Sequence, residues 1–275
     1  MKTIVTAVIP CYNGGLYIRD TILSLKAQNI PLKEIIVIDD GSTDDSVKIA
    51  NEHHCRVISF KSSLGRGHAR NVGINESTTD LVLFCDTTNI IKPNFLDLAL
   101  REFSDENVCA CFGRIVNHEK LTNRLSQWRG RHLFRQDKPH NKEIHYVNCL
   151  ITYAALMRKS HVISVGNFNP ELKQCEDQEL GVKLLQNQYK IISIPELTTY
   201  SIRDESYQSL CSRFSRWQSS YKERTNPYKQ FFINLKICML IFCQEDFRNK
   251  DFFSFAISFC MPFSVFLSTL LSKEH

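Results

Sequence analysis

The first third of the chain repeats one pattern: an apolar, β-branched segment, then a polar loop, then apolar residues at helical spacing. The first copy covers residues 4 to 25 and the second residues 34 to 50. In the second copy residues 35 to 38 are apolar at every position, which is typical of a strand buried on both faces of a parallel sheet. A strand at 56 to 60, a helix at 67 to 75 and a strand at 81 to 85 continue the series. This alternation predicts an α/β fold with a mostly parallel sheet flanked by helices.

The middle of the chain predicts further elements of the same sheet. We expect strands at 108 to 112, 146 to 156 and 191 to 194, and a helix at 177 to 186. Residues 117 to 142 are polar and weakly periodic, so we expect an excursion over the surface there.

Charge and cysteine usage exclude several classes of protein. The net charge of +5 is spread along the chain without a run of five like charges, which argues against nucleic acid as a partner. The eleven cysteines are scattered, odd in number and contain no Cys-x-x-Cys pair, which favours a reducing compartment and argues against a zinc site. The first apolar stretch is too short for a signal peptide, so we expect the protein in the cytoplasm. The oligomeric state is not indicated.

Polar and aromatic residues follow three of the predicted strands. They are Pro10 to Asn13, Asp39 to Ser42, and Asp86 to Asn89. An open parallel sheet binds ligands at the carboxyl ends of its strands. An aromatic ring there can stack on a base, and a carboxylate can accept a hydrogen bond from a base or a ribose hydroxyl. The strand ends together predict a nucleoside pocket.

Three segments in order resemble family 2 glycosyltransferases. They are Val8-Ile9-Pro10-Cys11-Tyr12-Asn13, Ile36-Val37-Ile38-Asp39-Asp40-Gly41-Ser42-Thr43-Asp44 and Gly67-His68-Ala69-Arg70-Asn71-Val72-Gly73-Ile74. The resemblance covers about residues 4 to 200. It implies the GT-A fold, a Rossmann-like mixed sheet, and transfer of a sugar from a nucleotide-diphosphate donor, commonly a UDP-sugar, with inversion. Residues 1 to 93 would form the donor-binding half and residues 94 to 205 the acceptor-binding half.

The resemblance also implies roles for residues of the donor site. Tyr12, beside Pro10, would stack on the base, and Asp40 of the Asp39-Asp40 pair would bind it. Arg70, and with it Arg66, would lie near the diphosphate. Taken singly, each residue has a simpler explanation: a ring packing a loop, acids capping a turn, or a surface charge.

The family carries an Asp-x-Asp that holds a divalent ion, and here the chain departs from the pattern. Asp86 keeps the first carboxylate, but Thr88 stands at the second position and Asn89 follows it. Mg²⁺ or Mn²⁺ tolerates few protein carboxylates, so Asp86 alone could hold the ion, with Thr88 and Asn89 offering neutral oxygens. The alternative is a site without metal, in which Asp86 only caps the strand end.

The acid pair Glu176-Asp177 stands at the start of a predicted helix. A helix N-terminus by itself stabilises carboxylates, which would explain acids there without catalysis. The resemblance instead implies that Asp177 is the general base, with Glu176 orienting it or binding the acceptor.

Farther on, Arg213-Phe214-Ser215-Arg216-Trp217 is similar to the Gln-x-x-Arg-Trp of processive polysaccharide synthases, with Arg213 where glutamine belongs. That likeness implies that Arg216 and Trp217 close over the acceptor and diphosphate. An amphipathic helix on a membrane surface explains the same residues.

Residues 206 to 275 predict a helical, membrane-associated extension. The basic residues Lys222, Arg224 and Lys229 precede apolar segments at 231 to 243 and 252 to 271. The second segment could just cross a hydrocarbon core of about 30 Å. Pro262 and a stripe of serines favour a kinked helix in the interface over a span or burial against the protein; the serines are 254, 258, 264, 268 and 272. We therefore expect contact with the cytoplasmic face of a membrane through 231 to 271.

The sequence leaves three functions open. The first is an inverting transferase acting on a glycan or lipid-linked acceptor in the synthesis of cell-surface polysaccharide. The second is a nucleotide-sugar-binding subunit without catalysis, which the missing second aspartate would explain. The third is a nucleotidyltransferase, which should carry a longer glycine-rich phosphate loop than Asn13-Gly14-Gly15.

Overall fold

A computed structural model describes residues 5–139, 143–172, 174–218 and 226–271 of the chain. The chain divides into two compact units. The sheet unit comprises Met1–His118 and Pro139–Arg203, and the helical unit comprises Glu119–Lys138 and Asp204–His275. Lys222, Arg224 and Ser272, which entered the prediction of a membrane-associated extension, lie outside the described residues.

The first half of the sheet unit is the predicted parallel sheet. Strands β1 (Val5–Cys11), β2 (Glu34–Asp39), β3 (Arg56–Ser59) and β4 (Leu81–Cys85) run parallel in the order β3-β2-β1-β4. Helices α1 (Ile18–Lys26), α2 (Ser46–Glu52) and α3 (Arg66–Glu76) connect them. Because the strands are parallel, their carboxyl ends, each followed by a loop, lie at one edge of the sheet.

The second half extends the sheet with both orientations. Its elements are β5 (Asn89–Ile91), α4 (Phe95–Arg101), β6 (Val108–Asn117), β7 (His145–Tyr146), β8 (Ala154–Arg158), α6 (Lys159–Ser164), α7 (Glu176–Gln186) and β9 (Lys190–Ser201). The sheet continues from β4 in the order β8-β6-β9-β5, and β8 is antiparallel to both β4 and β6. The expected mostly parallel mixed sheet flanked by helices is confirmed.

Two apolar clusters cover the two faces of the sheet. Ala7 and Ile9 of β1 pack in the cluster with α1 and α4, whereas Val8, between them, packs in the cluster with α3 and α7. Successive side chains of a strand point to opposite faces, so a strand covered on both faces must be apolar throughout. This explains the continuous apolar runs in the sequence.

The strand predicted at 146 to 156 is correct only at its two ends. The structure has the two-residue β7 there and begins β8 only at Ala154. Between them, Leu150 is buried against α7, so close that a Cβ on Gly181 would lie 2.9 Å from its backbone nitrogen. Leu150 therefore packs against a helix and lies outside the strands.

The helical unit contains α5 (Arg124–His132), α8 (Tyr207–Trp217), α9 (Pro227–Ile237), α10 (Cys243–Arg248) and α11 (Phe252–Leu271), with a π-helical turn at Cys238–Phe242. The predicted surface excursion at 117 to 142 is wrong, because it contains α5, whose Trp128 and Arg129 are fully buried. Arg129 Nη1 binds Glu205 Oε1 at 2.8 Å, so a polar sequence is accommodated in the interior by an ion pair.

Two serines of the predicted stripe on α11, Ser254 and Ser258, are buried in the helical unit, whereas Ser268 is exposed. Ser258 is buried, accepts a hydrogen bond from Trp128 Nε1 at 2.8 Å and donates one to Asp246 Oδ2 at 2.6 Å. Several phenylalanines of the helix are exposed instead: Phe252, Phe253, Phe259 and Phe263. Among the described residues α11 is the one helix long and apolar enough to cross a membrane, with a mean hydropathy of 1.8.

Candidate functional site

The loops after β1, β2 and β4 meet at one edge of the sheet. Asn13 N–H donates to Ser42 Oγ at 2.8 Å, and Gly14 N–H donates to Ser46 Oγ at 2.9 Å. A Cβ on Gly14 would lie 3.0 Å from the Thr87 side chain, so glycine allows the loop after β1 to approach the loop after β4. The strand ends predicted to form a pocket are therefore neighbours.

Pro10 and Tyr12 flank the end of β1. Pro10 is half-buried in the strand, and Tyr12 is 58% exposed in the loop that follows. An exposed ring at this edge is available for stacking on a planar ligand.

The two aspartates after β2 have different environments, although both are buried. Asp39 Oδ1 accepts from Ser42 N–H at 3.1 Å, as an acid that stabilises a turn does.

Asp40 contacts the loop before α3. Its Oδ1 accepts from Leu64 N–H at 2.7 Å, and its Oδ2 accepts from Gly65 N–H at 3.0 Å and from Ser63 Oγ at 2.6 Å. The sequence does not reveal this contact, because no pattern in residues 61 to 65 pairs them with an acid more than 20 positions earlier.

The two arginines of α3 are placed differently. Arg66 is exposed at the start of the helix and forms no ion pair with the residues that the structure describes. Arg70 is buried, with Nη1 2.5 Å from Glu176 Oε1 and Nη2 3.2 Å from Asp86 Oδ1. Arg70 is therefore the centre of an acid cluster at the sheet edge and not a surface charge.

Asp86 lies at the end of β4 with a half-exposed side chain. Its backbone N–H donates to Tyr153 O at 3.0 Å, which fixes the strand end against the segment before β8. Asn89 is buried, and its Nδ2 also donates to Tyr153 O at 3.0 Å, so its side chain is engaged in the interior. No group of three His, Cys, Asp or Glu side chains arranged to hold a metal occurs within the described ranges.

Asp177 stands in the first turn of α7, half-buried, beside Glu176. Burial raises the pKa of the Asp177 carboxyl, and the nearby charges of Glu176 and Asp86 raise it further, while Arg70 opposes them. A carboxylate with a raised pKa is a stronger base than an exposed aspartate. The Asp177 carboxyl lies in the electrostatic field of Arg70 and Asp86, and Asp86 Oδ2 receives no hydrogen bond from the residues that the structure describes.

Arg216 and Trp217 lie at the end of α8 in the helical unit. Trp217 is 42% exposed, and its ring lies 5.7 Å from that of Phe134. Arg213, which replaces glutamine in the motif, binds the buried Glu205 Oε1 through Nε at 2.8 Å. The closure of Arg216 and Trp217 over acceptor and diphosphate stays a prediction.

Sequence comparison identifies the family. Residues 6–164 match the model described as Glycosyl transferase family 2. The chain is 34% identical over 134 residues to the hyaluronan synthase of Streptococcus pyogenes, which covers 45% of this chain and 32% of the synthase. The chain therefore spans about a third of the length of that relative.

Two solved structures share the GT-A fold. The mannosyltransferase PcManGT from Pyrobaculum calidifontis, in complex with GDP-Man and Mn²⁺, superposes with a TM-score of 0.60 at 16% identity, covering 78% of this chain and 61% of that one. TarS 1-349 of S. aureus, in complex with UDP-GlcNAc, gives 0.60 at 20% identity, covering 86% of this chain and 66% of that one. With a family match across more than half of its 275 residues, and with the sheet described above, the chain belongs to glycosyl transferase family 2.

Proposed function

We propose that the protein transfers a sugar from a UDP-sugar to a hydroxyl of a glycan or lipid-linked acceptor, with inversion at the anomeric carbon. One observation carries the proposal: Asp177, a carboxyl with a raised pKa, shares the Arg70 cluster with Asp86 at the ligand-binding edge of the sheet. A base and a ligand-binding acid at one edge are what a single displacement at a nucleotide sugar requires.

In this mechanism Asp177 accepts the proton of the acceptor hydroxyl as its oxygen attacks the anomeric carbon. The bond between that carbon and the diphosphate oxygen breaks on the opposite face, and the nucleoside diphosphate leaves with the electron pair. A single in-line attack inverts the configuration. Glu176 is buried in its ion pair with Arg70, so Asp177 is the acid of the pair that is left to meet the acceptor.

The donor would lie along the loops after β1, β2 and β4. The exposed ring of Tyr12, next to Pro10, would stack on the base, and Asp40 would accept a hydrogen bond from it while Asp39 holds the turn. Arg66 is exposed at the start of α3 and would meet the diphosphate.

The residues present fit a divalent cation held by one protein carboxylate. The Oδ1 atom of Asp86 faces Arg70, and no donor among the described residues reaches Oδ2, which leaves one hard oxygen for Mg²⁺ or Mn²⁺. Such ions complete their shell with water and phosphate oxygens. When bound, the cation would neutralise charge on the leaving diphosphate. The Mn²⁺ named with GDP-Man in the mannosyltransferase structure supports this assignment.

The second candidate is a nucleotide-sugar-binding subunit that does not turn over. It is favoured by Thr88 at the second acid position and by the buried side chain of Asn89, which together leave Asp86 as the one carboxylate at the strand end. Both candidates predict donor binding, and only the first predicts release of nucleoside diphosphate.

The helical unit would bind the cytoplasmic face of a membrane. Its exposed apolar side chains include Phe232 on α9, Leu240 and Ile241 in the π-helical turn, and Phe252, Phe259 and Phe263 on α11. Lys236 on α9 and Arg248 on α10 are also exposed and would meet anionic lipid headgroups. The opposite side of α11 is hydrogen-bonded to Asp246 and Trp128, which favours a helix lying on the membrane over one that crosses it.

A thermal-shift screen tests the donor and the metal together. UDP, GDP, UDP-GlcNAc and GDP-Man are each added with Mn²⁺, with Mg²⁺ or with EDTA, because a ligand of the native state raises the melting temperature. We expect UDP compounds to raise it most, and more with the metal than with EDTA. A response to GDP compounds alone would reject the UDP assignment.

Asp177→Asn tests the mechanism. We expect loss of nucleoside diphosphate release by about 100-fold or more, the usual contribution of a general base, with donor binding retained. Glu106→Gln is the matched control: it removes an exposed carboxylate just before β6, at the edge of the sheet opposite the site. Retained turnover in Asp177→Asn would remove this residue from the mechanism, and donor binding without any turnover in the wild type would favour the second candidate.

Vesicle flotation tests the membrane assignment. Phe259→Ser with Phe263→Ser removes two exposed rings from α11, and we expect less protein bound to vesicles containing anionic lipid. Leu23→Ser removes an exposed apolar side chain from α1 of the sheet unit and serves as control. Alkaline carbonate should release the wild-type protein, and retention would indicate a span.

A further inference from the structure

Residues of α3 contact Phe168 and Asn169, which begin the segment that leads to Asp177. Asn71 Oδ1 accepts from Phe168 N–H at 3.0 Å, and Asn71 Nδ2 donates to Phe168 O at 2.8 Å, so one side chain pairs both backbone groups of that residue. A Cβ on Gly67 would lie 2.8 Å from Asn169 O, which means that the helix and the segment are in direct contact at a glycine. The beginning of the segment is thereby anchored to α3.

Arg70 anchors the end of the same segment. Its Nη1 binds Glu176, the first residue of α7, and its Nη2 binds Asp86, while its guanidinium lies 5.7 Å from the centre of the Phe168 ring. Gly67, Arg70 and Asn71 therefore contact residues 168, 169 and 176, on both sides of the stretch that approaches the catalytic base.

A buried ion pair is weak evidence for stability, because the desolvation of both charges offsets their attraction. Arg70 and Glu176 are both at most 3% exposed. Each terminal nitrogen of Arg70 binds a carboxylate, and its Nε is buried without a hydrogen-bond partner among the described residues. At 3% exposure, little of the guanidinium is accessible to a phosphate. The geometry thus suits a residue that orients other groups.

We propose that Arg70, with Gly67 and Asn71, is a positioning residue that fixes the start of α7, and with it Asp177, next to Asp86, and that Arg70 is not a ligand of the donor diphosphate. This proposal rests on the function proposed above. The segment Gly67-His68-Ala69-Arg70-Asn71 then serves the acceptor side of the reaction, while Tyr12, Asp40 and Arg66 serve the donor.

The test is the double variant Arg70→Met with Glu176→Met. Removing one partner alone would leave a buried charge unpaired and risk unfolding, whereas replacing both with apolar residues of similar length is tolerated in buried pairs. Three quantities are measured: the melting temperature, the affinity for UDP with Mn²⁺ and with EDTA, and kcat with KM for the nucleotide sugar that the wild type turns over. We expect a folded protein with unchanged UDP affinity and donor KM, and a kcat lowered about 100-fold, as a small misplacement of a reacting group produces.

A second perturbation of the segment and a control variant complete the test. Gly67→Ala displaces the segment at Asn169 without touching any charge, and it should also lower kcat and leave UDP affinity unchanged. Arg158→Met is the control: Arg158 binds Phe103 O at 3.0 Å and lies at the sheet edge opposite the site, so it should lower the melting temperature without separating kcat from KM.

Weakened UDP binding with kcat preserved at saturating donor would overturn the proposal and return Arg70 to the diphosphate. A double variant with wild-type kcat would overturn it as well. Failure of the proposed function itself is recognised separately, because the wild type would then bind donor without turnover, or turnover would persist in Asp177→Asn.

Discussion

Asp40→Asn should loosen the loop before α3, because an amide cannot replace this carboxylate. Leu64 N–H points at Oδ1 at 2.7 Å and Gly65 N–H points at Oδ2 at 3.0 Å. An amide has one oxygen, so one of the two backbone donors faces an NH₂ group whichever way the side chain turns. Both hydrogen bonds are only part-buried, so losing one of them costs about 0.5–1.5 kcal/mol. For a chain of this size that corresponds to a melting temperature lower by about 1–6 °C.

The assay is thermal unfolding followed by circular dichroism, together with calorimetric titration of UDP. Asp45→Asn is the matched control, since it removes the same charge from an exposed aspartate of the neighbouring loop whose side chain caps no backbone group of α2. We expect Asp40→Asn to melt earlier than Asp45→Asn and to bind UDP more weakly. If both variants melt like the wild type, the carboxylate does not hold residues 63 to 65, and the reasoning fails.

Three other outcomes can be measured. Gly73→Ala should lower the free energy of unfolding in urea by about 1–3 kcal/mol, because its Cβ would lie 2.3 Å from Val8 Cγ1 in the core; an unchanged midpoint would show that Val8 moves aside freely. Asp177→Asn should be more stable than the wild type at pH 7. The raised pKa of Asp177 in the folded state means that its ionisation opposes folding as pH rises through the unfolded pKa of about 3.9. The difference should vanish in acid, and a less stable variant at pH 7 would contradict this. Partial burial raises the pKa of Asp251, but hydrogen bonds from Ser254 and Arg131 outweigh this effect and lower that pKa to about 2. Its contribution to stability should therefore be present above the unfolded pKa and be lost as pH falls toward 2, and a carboxyl titration by NMR that gives Asp251 an ordinary pKa would contradict it.

The sequence by itself determined the parallel half of the sheet and the strand ends that meet at one edge of it. Both follow from local chemistry: strands covered on both faces must be apolar at every position, and the residues after them must lie at one edge. The apolar runs predicted strands at residues 4 to 9 and 34 to 40, and the structure has β1 and β2 at these positions. The helical spacing of Leu180 and Leu184 also predicted α7, with the acid pair Glu176-Asp177 at its start.

The tertiary structure decided which groups meet in the interior. Arg70 pairs with Glu176 across 106 positions, and Arg129 pairs with Glu205 across 76, the contact that brings a polar stretch into the helical unit. The serines of α11 predicted a polar stripe, but only the packed helices show that Asp246 and Trp128 draw Ser258 inward and leave the phenylalanines exposed. A pattern shows that a side chain is polar or apolar. The packing of the folded chain decides which distant residue becomes the partner of a buried polar group. Burying such a group is unfavourable unless a hydrogen bond or ion pair in the interior offsets its loss of water.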